Sequence, residues 1–83
     1  MTDRPVVILY SKPGCHLCEQ TEEVLGQLRP RWPHTLRAVD ITREPALEER
    51  YGLRIPVVDI GGREYAAPLG RSVLERALAR LPQ

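Results

Sequence analysis

Val6-Val7-Ile8-Leu9-Tyr10 is an unbroken apolar run of strand length, the pattern of a strand covered on both faces. After it the period lengthens. From Cys15 to about Leu28, Leu17, Thr21, Val24, Leu25 and Leu28 recur at helical spacing, while Glu19, Gln20, Glu22 and Glu23 lie mostly on the other side. Pro30 and Pro33 end this helix. Thr35 to Asp40 alternates weakly (Leu36, then Ala38 or Val39) and reads as a second strand. The gap between the two strands accommodates a crossover helix, which predicts a parallel, right-handed β-α-β unit. Thr42 is placed to cap a short helix through Tyr51, with Pro45 in its first turn and Gly52 closing it. Val57–Ile60 and Arg63–Ala66 flank Gly61-Gly62, a two-residue hairpin signal. Ser72-Val73-Leu74-Glu75 has the form of a capping box, opening a last helix with Leu74, Ala77, Leu78 and Leu81 on one face.

The element order is therefore β-α-β-α-β-β-α. It predicts an α/β domain with a mixed four-stranded sheet flanked by three helices, placed on both of its faces.

Composition narrows this further. The chain of 83 residues allows one small domain, taken as 1–83, and no linker, repeat or low-complexity run divides it. With no Phe, one Trp and three Tyr, the core must come from Leu, Val, Ile and Ala. A net charge of +1, with the two signs interspersed, offers no footprint for nucleic acid or for an anionic membrane. Eleven of the twelve basic residues are arginine, read here as a compositional bias. The first apolar run is too short for a signal peptide, and no stretch nears the roughly 20 apolar residues of a membrane span. A monomer in the cytoplasm is expected.

The chemistry lies in Cys15-His16-Leu17-Cys18, which holds both cysteines of the chain. A bridge across so small a loop removes little unfolded-state entropy, so it is a poor structural staple. Its position suits reactivity instead. The pair follows a buried strand and opens a helix, where the peptide dipole stabilises a thiolate. Cys15 is then the nucleophile. Cys18, one turn on and more buried, is the resolving thiol. Lys12 adds a nearby positive charge. His16 has two readings: an imidazole that stabilises the Cys15 thiolate, or an exposed histidine of modest effect. A zinc site would need four ligands, and His34, expected at the far end of the first helix, is the only other soft candidate, so no metal is expected.

Tyr10-Ser11-Lys12-Pro13-Gly14-Cys15-His16-Leu17-Cys18, followed by Ile55-Pro56-Val57-Val58 and Gly61-Gly62, resembles the glutaredoxins and their short bacterial relatives in the thioredoxin superfamily. The resemblance runs from Val6 to about Leu81. It implies a thioredoxin-like fold in which Pro56 is cis and faces the active cysteine. The N–H and C=O of Ile55 would then pair with a substrate peptide or glutathione. It also implies that Lys12 binds a carboxylate of glutathione. Arg54 and Arg50 flank the proline and would help neutralise an anionic substrate. Two stretches depart from the family. Ala66-Ala67-Pro68-Leu69-Gly70 stands where a Gly-Gly-x-Asp-like segment holds the γ-glutamyl end of glutathione, and His16-Leu17 replaces Pro-Tyr.

The expected function is that of a dithiol–disulfide oxidoreductase acting as an electron carrier, reducing protein or glutathione mixed disulfides. No cofactor is expected to be bound, and glutathione is a candidate reductant. Two alternatives stay open: a redoxin recharged by thioredoxin reductase for a dedicated enzyme, and a non-catalytic module binding a metal or an iron–sulfur cluster.

Overall fold

The computed structural model describes residues 4–82. Its elements are β1 (Val6–Ser11), α1 (His16–Leu28), β2 (Thr35–Asp40), a 3₁₀ turn (Ile41–Arg43), α2 (Pro45–Tyr51), β3 (Val57–Ile60), β4 (Arg63–Ala66) and α3 (Arg71–Ala79). The strands form one mixed sheet in the order β2-β1-β3-β4. β1 is central, parallel to β2 and antiparallel to β3, and β4 pairs antiparallel with β3.

Alternation along the strands divides the core in two. Val7 and Leu9 of β1 and Val58 and Ile60 of β3 pack with Leu25 and Leu28 of α1 and with Leu74, Ala77 and Leu78 of α3. On the other face, Tyr10, Val57 and Ala66 pack with Ile41, Ile55, and Leu47 and Tyr51 of α2. Helices thus cover both faces, as the element order predicts. Gly61 and Gly62 both take positive φ (+63° and +85°), the backbone of the tight hairpin turn that the sequence announces. No helix among the described residues is long and apolar enough to cross a membrane.

The helix starts differ from the sequence reading. α1 begins at His16, and Cys15 is its N-cap. Thr42 does not cap α2. It is itself held by Asp40, whose carboxylate accepts from the Thr42 N–H (2.9 Å) and hydroxyl (2.6 Å). The segment closes into a 3₁₀ turn, and α2 starts at Pro45 after Glu44, which makes no side-chain cap bond. Asp40 is the better acceptor and precedes the turn, so it takes the capping role. The Ser72–Glu75 capping box does not form either. α3 starts at Arg71 after Gly70, which places Ser72 inside the helix. Glu75 lies 3.5 Å from Arg71, one turn back.

Candidate active site

Three segments meet at one end of the sheet. Ser11, the last residue of β1, pairs with Asp40, the last of β2. Tyr10 pairs with Val57, the first residue of β3. The loop leaving β1, the end of β2 and the Ile55–Pro56 bend therefore lie side by side. Gly14 turns the loop with φ +81°, a conformation that side-chain-bearing residues rarely adopt, and the Cys15 N–H donates to the Lys12 carbonyl (3.2 Å).

Cys15 and Cys18 are joined as a disulfide, their Cα atoms 5.2 Å apart. Cys15 is half-buried and Cys18 is buried, as the sequence predicts. The Cys15 Sγ accepts the backbone N–H of Cys18 at 3.1 Å, an orphan donor of the first helical turn. On reduction the same amide is in place to stabilise negative charge on that sulfur. The geometry thus offers one reachable sulfur with a donor aimed at it, and one sheltered sulfur a turn away.

The remaining expected residues surround this pair unequally. Lys12 is exposed and lines a groove of about 270 Å³ on the β2 side of the disulfide, together with Glu19, Glu22 and Asp40. Hydrogen bonds from the Thr42 hydroxyl and amide, with Arg43 adding to them, hold the Asp40 carboxyl below the usual carboxylate range. His16 faces outward. Its Nδ1 lies 3.9 Å from Glu19 and its Nε2 lies 3.2 Å from the Gln20 amide. Those contacts fit the exposed reading of His16 rather than an imidazole on the sulfurs. His34 is buried beneath the start of β2, with Nδ1 2.8 Å from the Trp32 carbonyl. Among the described residues no group of three or more His, Cys, Asp or Glu is disposed to hold a metal ion.

The Ile55–Pro56 peptide is cis and Pro56 is fully buried. One expectation needs correction here. The Ile55 N–H is not open to a substrate, because it donates to the Tyr51 carbonyl (3.1 Å). The Pro56 carbonyl is also occupied, accepting from the Ala67 N–H (3.0 Å). Only the Ile55 carbonyl is left without a partner among the described residues. Arg54 is exposed and lines neither groove beside the disulfide. Arg50 turns away, 3.8 Å from Glu64 and over the Tyr51 ring.

Pro56 instead helps to line a second groove, of about 330 Å³, between α1 and the Ala67–Gly70 segment. Leu17, Gln20, Thr21 and Val24 form its other wall. Not one of its lining side chains is charged. A further cis bond, Ala67–Pro68, shapes this wall.

Sequence reasoning missed the support behind the bend. Tyr51 stacks on Tyr10 (centroids 4.2 Å apart) and its hydroxyl donates to Glu64 (2.5 Å). Its carbonyl takes the N–H groups of both Arg54 and Ile55. The bond to Glu64, with burial and Tyr10 behind it, pushes the Tyr51 phenol well above its ordinary range. Glu19 and Glu22 carried a readable signal, each four residues after a cysteine and hence on its side of the helix. Asp40 and Glu64 carried none, because strand pairing brings them in.

Comparison with known proteins fixes the kinship. The family model described as Glutaredoxin-like domain (DUF836) matches residues 6–81. The chain belongs to this glutaredoxin-like family. An uncharacterized protein of Mycobacterium tuberculosis is 32% identical over 68 residues, covering 76% of this chain and 70% of that protein. The N-acetyl-S-hydroxy-L-cysteine reductase of Bacillus subtilis is 31% identical over 91 aligned positions, covering the whole chain and 94% of the reductase. Among solved structures, a structural-genomics target from X. campestris is 38% identical with a TM-score of 0.79, covering 92% of this chain and 99% of that one. Thioredoxin 1 of Thermosipho africanus, at 12% identity, a TM-score of 0.70 and coverage of 90% and 91%, shows the fold alone. The glutaredoxin-like chain is thus a thioredoxin-fold protein whose paired cysteines point to redox chemistry.

Proposed function

We propose that this glutaredoxin-like chain is a dithiol–disulfide oxidoreductase, with Cys15 as nucleophile and Cys18 as resolving thiol. One observation carries the reading: a half-buried Cys15 Sγ at the N-cap of α1 accepts the Cys18 N–H, while Cys18 itself is buried. A thiolate is favoured where an amide and a helix start already point at it.

The Cys15 thiolate attacks one sulfur of the substrate disulfide. That bond breaks, the far sulfur leaves as a thiolate, and a mixed disulfide forms. Cys18, deprotonated, attacks the Cys15 Sγ. The second substrate sulfur leaves, and the Cys15–Cys18 disulfide closes. Two electrons pass to the substrate, and two protons follow to its thiols. The Bacillus relative's name extends this to a sulfenic acid on a small cysteine derivative. There the first step expels hydroxide, which leaves as water, and the second releases the thiol.

Recharging requires an external thiol or dithiol donor. The uncharged Ala67–Gly70 wall offers no acid for the ammonium of glutathione, which favours a thioredoxin reductase as donor. Lys12, exposed beside Cys15, supplies a counter-charge for a substrate carboxylate. Protein disulfides stay within the substrate range, and a cytoplasmic, monomeric carrier completes the proposal.

Trapping tests the assignment. Reduced Cys18→Ser, offered a disulfide substrate, should accumulate a stoichiometric mixed disulfide at Cys15. A mixed disulfide formed on Cys18 in Cys15→Ser instead would reverse the roles.

A further inference from the structure

We infer that the end of the sheet away from the cysteines carries an anion site, where Arg63, Arg76 and Arg80, gathered around Tyr65, take a small ligand bearing a chain of two or three phosphate groups. The site is independent of the dithiol reading above, and neither depends on the other.

Two hollows meet there. The larger, of about 560 Å³, is lined by Arg63, Tyr65 and Arg80 with the Gly61 backbone. The smaller, of about 130 Å³, shares Tyr65 and Arg80 and adds Arg76. No carboxylate lines either of them among the described residues. Strand alternation explains the sorting of charge. Arg63 and Tyr65 flank Glu64 along β4, so they share one face of the strand and Glu64 takes the other. There Glu64 accepts from the Tyr51 hydroxyl and lies 3.8 Å from Arg50. The other nearby acids are also engaged: Glu75 lies 3.5 Å from Arg71, and Asp59 accepts the Gly62 N–H (3.1 Å). Among the described residues, the side chains of Arg63, Arg76 and Arg80 have no ion-pair or hydrogen-bond partner. The C-terminal dipole of α3 favours Arg76 and Arg80, but its half charge of roughly −0.5 leaves most of the positive field standing. Those two stand one helical turn apart, where like charges repel and an anion between them relieves the repulsion.

The guanidinium fork matches phosphate oxygens two at a time, which sets the chemistry of the ligand. A single carboxylate would answer one arginine and leave the other two unneutralised. A di- or triphosphate answers all three, and a hollow of about 560 Å³ falls within the roughly 300–1,000 Å³ typical of small-molecule sites. Such a group comes from a nucleotide or from inorganic polyphosphate. The two differ in what they bring to the half-buried ring of Tyr65, against which a base can lie. Ile60 pairs with Val7 at this end of β3, whereas Val57 pairs with Tyr10 beside the cysteine loop, so an occupied site leaves Cys15 open.

The test titrates tripolyphosphate and ATP, both free of magnesium, into the full chain by isothermal calorimetry, with sulfate at matched ionic strength as the reference anion. We expect saturable binding of at least one of the two, about tenfold or more tighter than sulfate. Arg63→Gln with Arg80→Gln should weaken it by about tenfold or more. Arg37→Gln with Arg54→Gln removes the same charge elsewhere and should weaken it by less than about threefold. All four positions are exposed, so the fold tolerates the changes. Tighter binding of ATP assigns the nucleotide as source, tighter binding of tripolyphosphate assigns inorganic polyphosphate, and both results uphold the site. Binding no tighter than that of sulfate overturns it. An equal loss in the two double variants also overturns it, because the attraction would then belong to net charge and not to this place.

Discussion

Two grooves border the first turns of α1 and offer an incoming molecule opposite things. On the β2 side, Lys12, Glu19, Glu22 and Asp40 line about 270 Å³ of charged surface. On the Pro56 side, Leu17, Val24, Pro68 and Leu69 line about 330 Å³ with no charge at all. The sulfurs themselves line the charged side. That side therefore sets the field in which Cys15 ionises, and the uncharged side sets what can lie against the bend. One wall acts on the reacting atom and the other on the rest of the substrate.

The comparison breaks outright if the Cys15 sulfur is not the reactive one. Cys15→Ser should lower disulfide reduction by about 10³-fold or more, since no other thiol has an amide aimed at it. A steady-state assay with hydroxyethyl disulfide reads this directly.

Loss of support behind the uncharged wall should come next. Tyr51→Phe keeps the stack on Tyr10 but removes the donor to Glu64, whose carboxylate is largely sheltered. The expected cost is about 1–2 kcal/mol. That corresponds to a Tm lower by roughly 4–15 °C for a domain of this size, measured by thermal unfolding. The sign of the pH dependence follows from the raised phenol. The bond contributes fully below the ordinary tyrosine range near pH 10 and is lost as pH rises toward the folded value. The stability gap between wild type and Tyr51→Phe should therefore be flat at neutral pH and close only in strong alkali.

The charged wall should have a smaller effect, on rate rather than fold. Joint replacement of Glu19, Glu22 and Asp40 by Gln, Gln and Asn removes negative charge near Cys15. Alkylation of the reduced protein at neutral pH should speed up by about two- to fivefold at low salt, with less gain at high salt. No acceleration at low salt would mean that this wall is electrically remote from the sulfur.

The smallest effect concerns Asp40 alone. Its carboxyl is depressed by Thr42, so its stabilising contribution is present above the ordinary carboxylate range and fades as pH falls through the folded value. Asp40→Asn should be less stable than wild type at neutral pH and should converge with it in acid, as urea unfolding at several pH values would read.

The division between the walls also explains what the sequence could disclose. The strands and helices were legible because burial leaves an unbroken apolar run at Val6–Tyr10 and a helical period on Leu17–Leu28 and Leu74–Leu81. Helix starts were less so. Ser72 and Thr42 both have capping side chains, yet Gly70 and Glu44 stand at the actual starts of α3 and α2. Cap choice depends on where the chain leaves the preceding strand, which tertiary packing decides. The cysteines were legible because they are neighbours in the chain. The walls were not, because Asp40, Pro56 and Leu69 come from three distant segments brought to one end of the sheet. The Ile55 N–H was misjudged for a related reason: the carbonyl that takes it belongs to Tyr51, at the end of a helix whose last turn runs into the bend.

The proposed chemistry requires a Cys15 sulfur that ionises more readily than an ordinary thiol. The direct measurement is the pH dependence of iodoacetamide alkylation for the reduced wild type, Cys15→Ser and Cys18→Ser. A fast thiol, titrating below the reference of about 8.5, should be present in wild type and Cys18→Ser and absent from Cys15→Ser. Slow and equal alkylation at both cysteines, or a fast thiol that survives in Cys15→Ser, would contradict it.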